Sequence, residues 1–149
     1  MERCIDDELP FEIPKNWCWC KIGTIFTLQA GKNIQAAEIH ENPFTDSHPC
    51  YGGNGIRGYV ASSNRTGDYP IIGRQGALCG NINRATGEFY ATEHAVCVET
   101  YSQISVAWAC LFLTALNLNQ YATATAQPGL AVANINEVYI PLPPLVEQH

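Results

Sequence analysis

The chain has 149 residues, 46% of them hydrophobic and 15% charged, with a formal net charge of −6. This length and balance describe one globular domain that buries about 70% of its unfolded surface, and they exclude a disordered, collagen-like or coiled-coil chain. The longest apolar run, 106–113, is far short of the ~20 residues a membrane helix needs. The segment Leu9-Pro-Phe-Glu-Ile-Pro-Lys-Asn-Trp17 reads as an extended entry, because its two prolines exclude helix. Residues 17–22 alternate bulky and small side chains, as a strand packed on one face does. A short helix suits 22–26, and 27–32 reads as a strand ending in a turn at Gly31. Polar text follows to Pro49, with a helical turn over 36–40.

From 50 to 100 the pattern is β. Short apolar runs at 58–61, 69–73, 78–82, 89–91 and 95–99 are separated by turn signals at 62–67 and 85–88. The second signal predicts a hairpin joining Ile82 to Phe89. Ser105 predicts an N-cap for a helix over 106–118, apolar almost all round and therefore expected to be buried against the sheet. Gln127-Pro-Gly129 is a turn in which proline presets φ and glycine takes the positive-φ position. A helical turn at 134–137 precedes a strand at 138–142. Pro143 and Pro144 end it, and 145–149 reads as the first turn of a further helix. The expected class is α+β: a curved, mostly antiparallel or mixed β-sheet with a few packed helices.

Eight of the twelve glycines lie between Gly52 and Gly80. Seven of these eight lie in two segments, Tyr51-Gly-Gly-Asn-Gly-Ile-Arg-Gly58 and Ile71-Ile-Gly-Arg-Gln-Gly-Ala-Leu-Cys-Gly80, which enclose Arg57 and Arg74. Gly53 to Gly58 formally satisfies GxGxxG. A dinucleotide loop needs a strand before it and a helix after it, whereas here a strand follows. A kinase loop needs a downstream strand lysine, and no lysine follows Lys32. Both nucleotide readings fail.

The seven cysteines form no CxxC pair, so they read as reduced thiols, mostly buried, in a cytoplasmic chain. No secretory leader is visible in the acidic N-terminus. No metal site is expected, since structural zinc uses closely spaced ligand pairs. Glu93, His94 and Cys97 resemble a base and nucleophile, yet GxSxG is absent and alternation puts Cys97 on a buried face. A small Cys/His hydrolase stays open as one alternative, and a protein-interaction module as another.

The net charge argues against nucleic acid, but its distribution weakens that objection. Residues 1–12 hold five acids against Arg3, while 50–90 hold four arginines against Asp68 and Glu88. Tyrosines and Phe89 are interleaved with those arginines. Arginine reads guanine, Asn and Gln read adenine, and cations hold phosphates. On this chemistry the candidate DNA-binding residues are Lys32, Asn54, Arg57, Arg74, Gln75, Arg84 and Gln127.

The order of motifs resembles the target recognition domain of type I restriction–modification specificity (S) subunits. The resemblance is carried by the Leu-Pro…Ile-Pro…Trp17…Trp19…Ile22-Gly opening, Tyr51-Gly-Gly-Asn-Gly-Ile56, Ile72-Gly-Arg-x-Gly76…Cys79-Gly80, Gln127-Pro-Gly129 and Ile140-Pro-Leu-Pro-Pro-Leu-x-Glu-Gln148. It implies an acidic extension over 1–8, a DNA target recognition domain over 9–144, and the start of a truncated spacer helix over 145–149. It further implies a non-catalytic protein that reads one half of a bipartite double-stranded DNA site. Its partners would be a methyltransferase (modification) subunit, a restriction subunit, and a second recognition domain or half-subunit joined through the spacer helix. No membrane is implied. S-adenosylmethionine, ATP and Mg would be used by the partner subunits, and this chain would hold no cofactor.

Overall fold

The computed structural model describes residues 12–76, 79–101, 104–123 and 129–144. Among them are strands β1 (Cys18–Lys21), β2 (Phe26–Ala30), β3 (His48–Gly52), β4 (Gly55–Val60), β5 (Arg65–Gly73), β6 (Ile82–Ala91), β7 (Ala95–Thr100) and β8 (Tyr139–Leu142). The helices are α1 (Ile22–Ile25), α2 (Val106–Leu116) and α3 (Val132–Asn136). Six strands form a mixed sheet in the order β2-β7-β5-β6-β3-β4, parallel only between β3 and β6. β1 and β8 pair separately as an antiparallel ribbon. The expected α+β class with a mixed sheet and few helices is the fold observed.

The sheet is covered on both faces at its centre. Ala95 to Val98 of β7 are all buried, so this strand lacks the alternation of a half-exposed one. Its side chains divide by period two. Val96 and Val98 join Ile72, Phe26, Leu113, Leu118 and Ile135 beneath the helices, while Ala95 and Cys97 join Ile71, Tyr51 and Phe89 on the other face. Edge-to-face contacts of Phe89 with Tyr51 and Tyr69 fill that second core. Edge strand β4 is shielded by His40, whose N–H and C=O both bond Tyr59.

Residues 85–88 are not the hairpin turn their sequence predicts. β6 runs through them without a break, pairing Ala85 with Tyr69 and Thr86 with Asp68. Gly87, at φ 79°, faces Gly67, at φ 145°, so the turn-like glycines serve inside a continuous ladder. The reversal lies instead between Gly73 and Asn81, where Gly73 N–H donates to the Asn81 carbonyl (3.0 Å) and Gly80 N–H to that of Gly73 (2.6 Å). The strand expected at 78–82 therefore begins only at Ile82, and Arg65 to Gly67, read as turn, belong to β5. β3 gave no alternation to detect, because its residues Cys50 to Gly52 are all buried.

Ser105 caps α2 as expected, its hydroxyl accepting from Trp108 N–H at 3.2 Å. The helix is shorter than 106–118 and ends at Asn117 in the left-handed conformation. Nor is it buried all round: Trp108, Ala109 and Leu113 face the core, while Leu111 is 73% exposed. The segments 1–8 and 145–149 and the turn residue Gln127 lie outside the described residues. Leu113→Ala should cost about 3 kcal/mol in urea unfolding, whereas Leu111→Ala should stay within about 0.5 kcal/mol. Unequal effects of that order check which face of α2 carries the core.

Candidate nucleic-acid interface

The two glycine-rich segments meet. A β-carbon on Gly73 would fall onto the Gly53 carbonyl and the Asn81 side-chain amide, and one on Gly53 would stand 3.0 Å from the Gln75 carbonyl. Only glycine lets the β3–β4 turn settle this closely on the loop after β5. Side chains complete the join, as Asn81 Nδ2 donates to Asn54 Oδ1 at 2.8 Å. The β6–β7 turn is tied in by Arg74 N–H, which donates to the His94 carbonyl at 3.0 Å. The Arg74 carbonyl accepts from Leu130 N–H at 2.8 Å, and Gln75 forms a β-bridge with Gly129. Thr123 and Gly129 bond each other at the foot of 124–128. Three turns and the Thr123–Gly129 pair thus share one backbone frame.

Clefts open on this frame. Gly53, Gln75, Gly76 and His94 line one of about 460 Å³. Arg74 and Gln75 face Thr123 and 129–132 across another of about 360 Å³. A third, about 240 Å³, lies between the end of β2 and the start of β5 and holds Lys32 and Arg65 with Gln29 and Asn64. Here Arg65 donates to the Gln29 amide oxygen and lies 5.5 Å from the centre of the Tyr69 ring. The Asn64 side chain bonds both the N–H (2.8 Å) and the C=O (2.9 Å) of Ala91, substituting for a strand partner. Lys32 N–H donates to that same carbonyl at 3.0 Å. Among the described residues, this groove carries two cations and no acid in its lining.

The sequence-predicted residues separate accordingly. Arg74, Gln75 and Asn54 come together on the fused loops, and Lys32 lies in the cationic groove. Arg57 is exposed on edge strand β4, its aliphatic stem over Gly52. Arg84 stands elsewhere on β6, forking onto Asp68 through Nε (2.8 Å) and Nη2 (2.6 Å), beside Cys110 of α2. That fork holds the Asp68 carboxyl below its usual range. Gln127 is outside the described residues. Sequence reasoning missed Arg65 and Asn64 as groove residues and weighed His94 only as a base. No local signal marks them, because long-range pairing brings them to their clefts.

Cys97 does not suit the nucleophile of the hydrolase alternative. Cys97 is 1% exposed, and burial pushes its thiol up to about 11, opposite to the depression a reactive cysteine needs. His94 Nε2 lies 3.3 Å from Glu93 Oε1. Among the described residues, no three His, Cys, Asp or Glu side chains cluster as metal ligands. No helix there is long and apolar enough to cross a membrane.

Comparison with known proteins agrees with this architecture. The chain is 49% identical over 128 residues to the type I restriction enzyme EcoprrI specificity subunit of Escherichia coli, covering 85% of this chain and 32% of that protein. It therefore spans about a third of that relative's length. Its fold is shared with the crystal structure of the type I restriction-modification S subunit from M. genitalium (TM-score 0.77, 17% identity, 93% of this chain and 38% of that one). It is shared too with a chain from a structural study of complex assembly in the type I restriction–modification system (TM-score 0.70, 19% identity, 93% and 37% covered). The family pattern of the type I restriction modification DNA specificity domain matches residues 14–149, and the chain belongs to that family.

Proposed function

We propose that this chain recognises one half of a bipartite double-stranded DNA site within a type I specificity subunit, without catalysing a reaction itself. The observation that carries this reading is the set of polar side chains, exposed Gln75 and Asn54 with half-buried Arg74, on loops fused by their backbones. Sequence readout needs donors and acceptors held in register with base edges, and a rigid scaffold below the loops supplies that register. Arg74, Gln75 and Asn54 would face bases, with Arg57 and Gln127 as flanking contacts. Lys32 would hold a phosphate, and Arg84, engaged by Asp68, would act chiefly on the fold. Partner methyltransferase and restriction subunits, using S-adenosylmethionine, ATP and Mg, would carry out adenine methylation and restriction in the cytoplasm. A second recognition domain or half-subunit would read the other half-site.

The test is to place the chain in the corresponding position of the E. coli relative and map methylated adenines. A new half-site that travels with the chain supports the reading; an unchanged site in a stably assembled complex points to an interaction module instead. Arg74→Ala should cost about 1–3 kcal/mol and relax preference at one position. Lys32→Ala should weaken binding to all sequences alike and lower the salt slope by about 1, measured by titration across salt concentrations.

A further inference from the structure

The cleft between the two glycine-rich turns is walled by Gln75 and His94 together with Gly53 and Gly76. At about 460 Å³ it has the size of a small-ligand pocket, but among the described residues its lining holds no aliphatic side chain of the kind such pockets use. Two planar polar side chains above bare backbone suit the edge of a stacked base instead. A β-carbon on Gly76, at φ +90°, would meet none of the described residues within 4 Å.

Both walls are held from behind. Gln75 follows Arg74, whose N–H and C=O are each bonded, and is itself bridged to Gly129. Its side-chain amide has no hydrogen-bond partner among the described residues and is exposed. His94 is half-buried beside Glu93, 3.3 Å from Nε2. A neutral imidazole carries one acceptor nitrogen, which can take an amino hydrogen. The residues 92–94 also separate this notch from the cationic groove. On the far side, Gly31 N–H bonds the Ala95 carbonyl (3.1 Å) and Lys32 N–H bonds that of Ala91 (3.0 Å). A cationic groove thus adjoins a polar notch, as phosphate and base edge adjoin in a duplex.

We propose that this notch reads the major-groove edge of duplex DNA, Gln75 pairing with an adenine and His94 accepting an amino hydrogen from the neighbouring base. The inference rests on the DNA-recognition reading above. A Gln amide donates to adenine N7 and accepts from its N6 amino group, whereas a Glu carboxylate only accepts, which suits the cytosine N4 amino group.

The experiment uses the full chain within a specificity subunit assembled with its methyltransferase, with methylated sites mapped across a genome. Gln75→Glu should move preference at one position from adenine to cytosine, on the order of tenfold. Gln75→Ala should lose the adenine preference there without gaining cytosine, and His94→Ala should relax the adjacent position alone. An unsubstituted chain that selects a site, together with variants that select the same site, overturns the notch while DNA recognition stands. Equal loss at every position overturns it too, since a phosphate or folding role acts uniformly. An unsubstituted chain that selects no site overturns both readings.

Discussion

The contact on which the proposed DNA face depends is the approach of the Gly53 carbonyl to the α-carbon of Gly73. No residue with a β-carbon can occupy Gly73 without moving one backbone or the other. Because the contact is backbone on backbone, it fixes the β3–β4 turn relative to the β5–β6 loop with no side-chain freedom between them. Asn81 reinforces it by serving both sides, its side chain against Gly73 and its amide donating to Asn54. Turns that would otherwise move independently become one surface. Ordering such loops at the moment of binding would cost affinity, and here the fold has ordered them in advance.

That surface needs a platform that does not yield, and the doubly covered centre of the sheet provides one. Val96 and Val98 are packed under the helices while Cys97 is packed on the opposite face, so β7 cannot tilt toward either core without opening the other. β5 shares this burial through Ile71 and Ile72 and then delivers Gly73 and Arg74 to the loops. Thr92 adds a polar lock, its N–H (3.1 Å) and hydroxyl (3.0 Å) both donating to the Tyr51 carbonyl. The end of β3 and the turn after β6 are held together by that carbonyl. Electrostatics contributes less than geometry: the chain is net acidic, so its long-range field steers DNA weakly and the local cations act at short range.

Much of the element order was legible. The entry strand, the short helix after it, the Ser105 cap and the closing strand all follow from local alternation, capping chemistry and proline placement. The reading failed where a glycine could serve two purposes. Ala85-Thr-Gly-Glu has turn composition, but Ala85 is packed in the second core and Gly87 faces Gly67 across the ladder. Composition could not separate a turn from a twisted ladder, because both draw on positive φ. The candidate site divided along the same line. Residues beside a glycine turn, such as Lys32, Arg74 and Gln75, could be singled out by position, whereas Arg84 lies in a strand and His94 gains its setting from a loop forty residues away in the chain.

By itself, the sequence determined the α+β class, the family motifs and the supply of arginine, amide and glycine chemistry, because these depend on residue type and near neighbours. The tertiary structure alone decided that the two glycine-rich segments touch, that Arg84 spends its guanidinium on Asp68, and that Gln75 and His94 face one notch. The physical reason is that each of these rests on contacts between residues far apart in the chain. Such contacts are set by sheet register and close packing, and no local pattern encodes them.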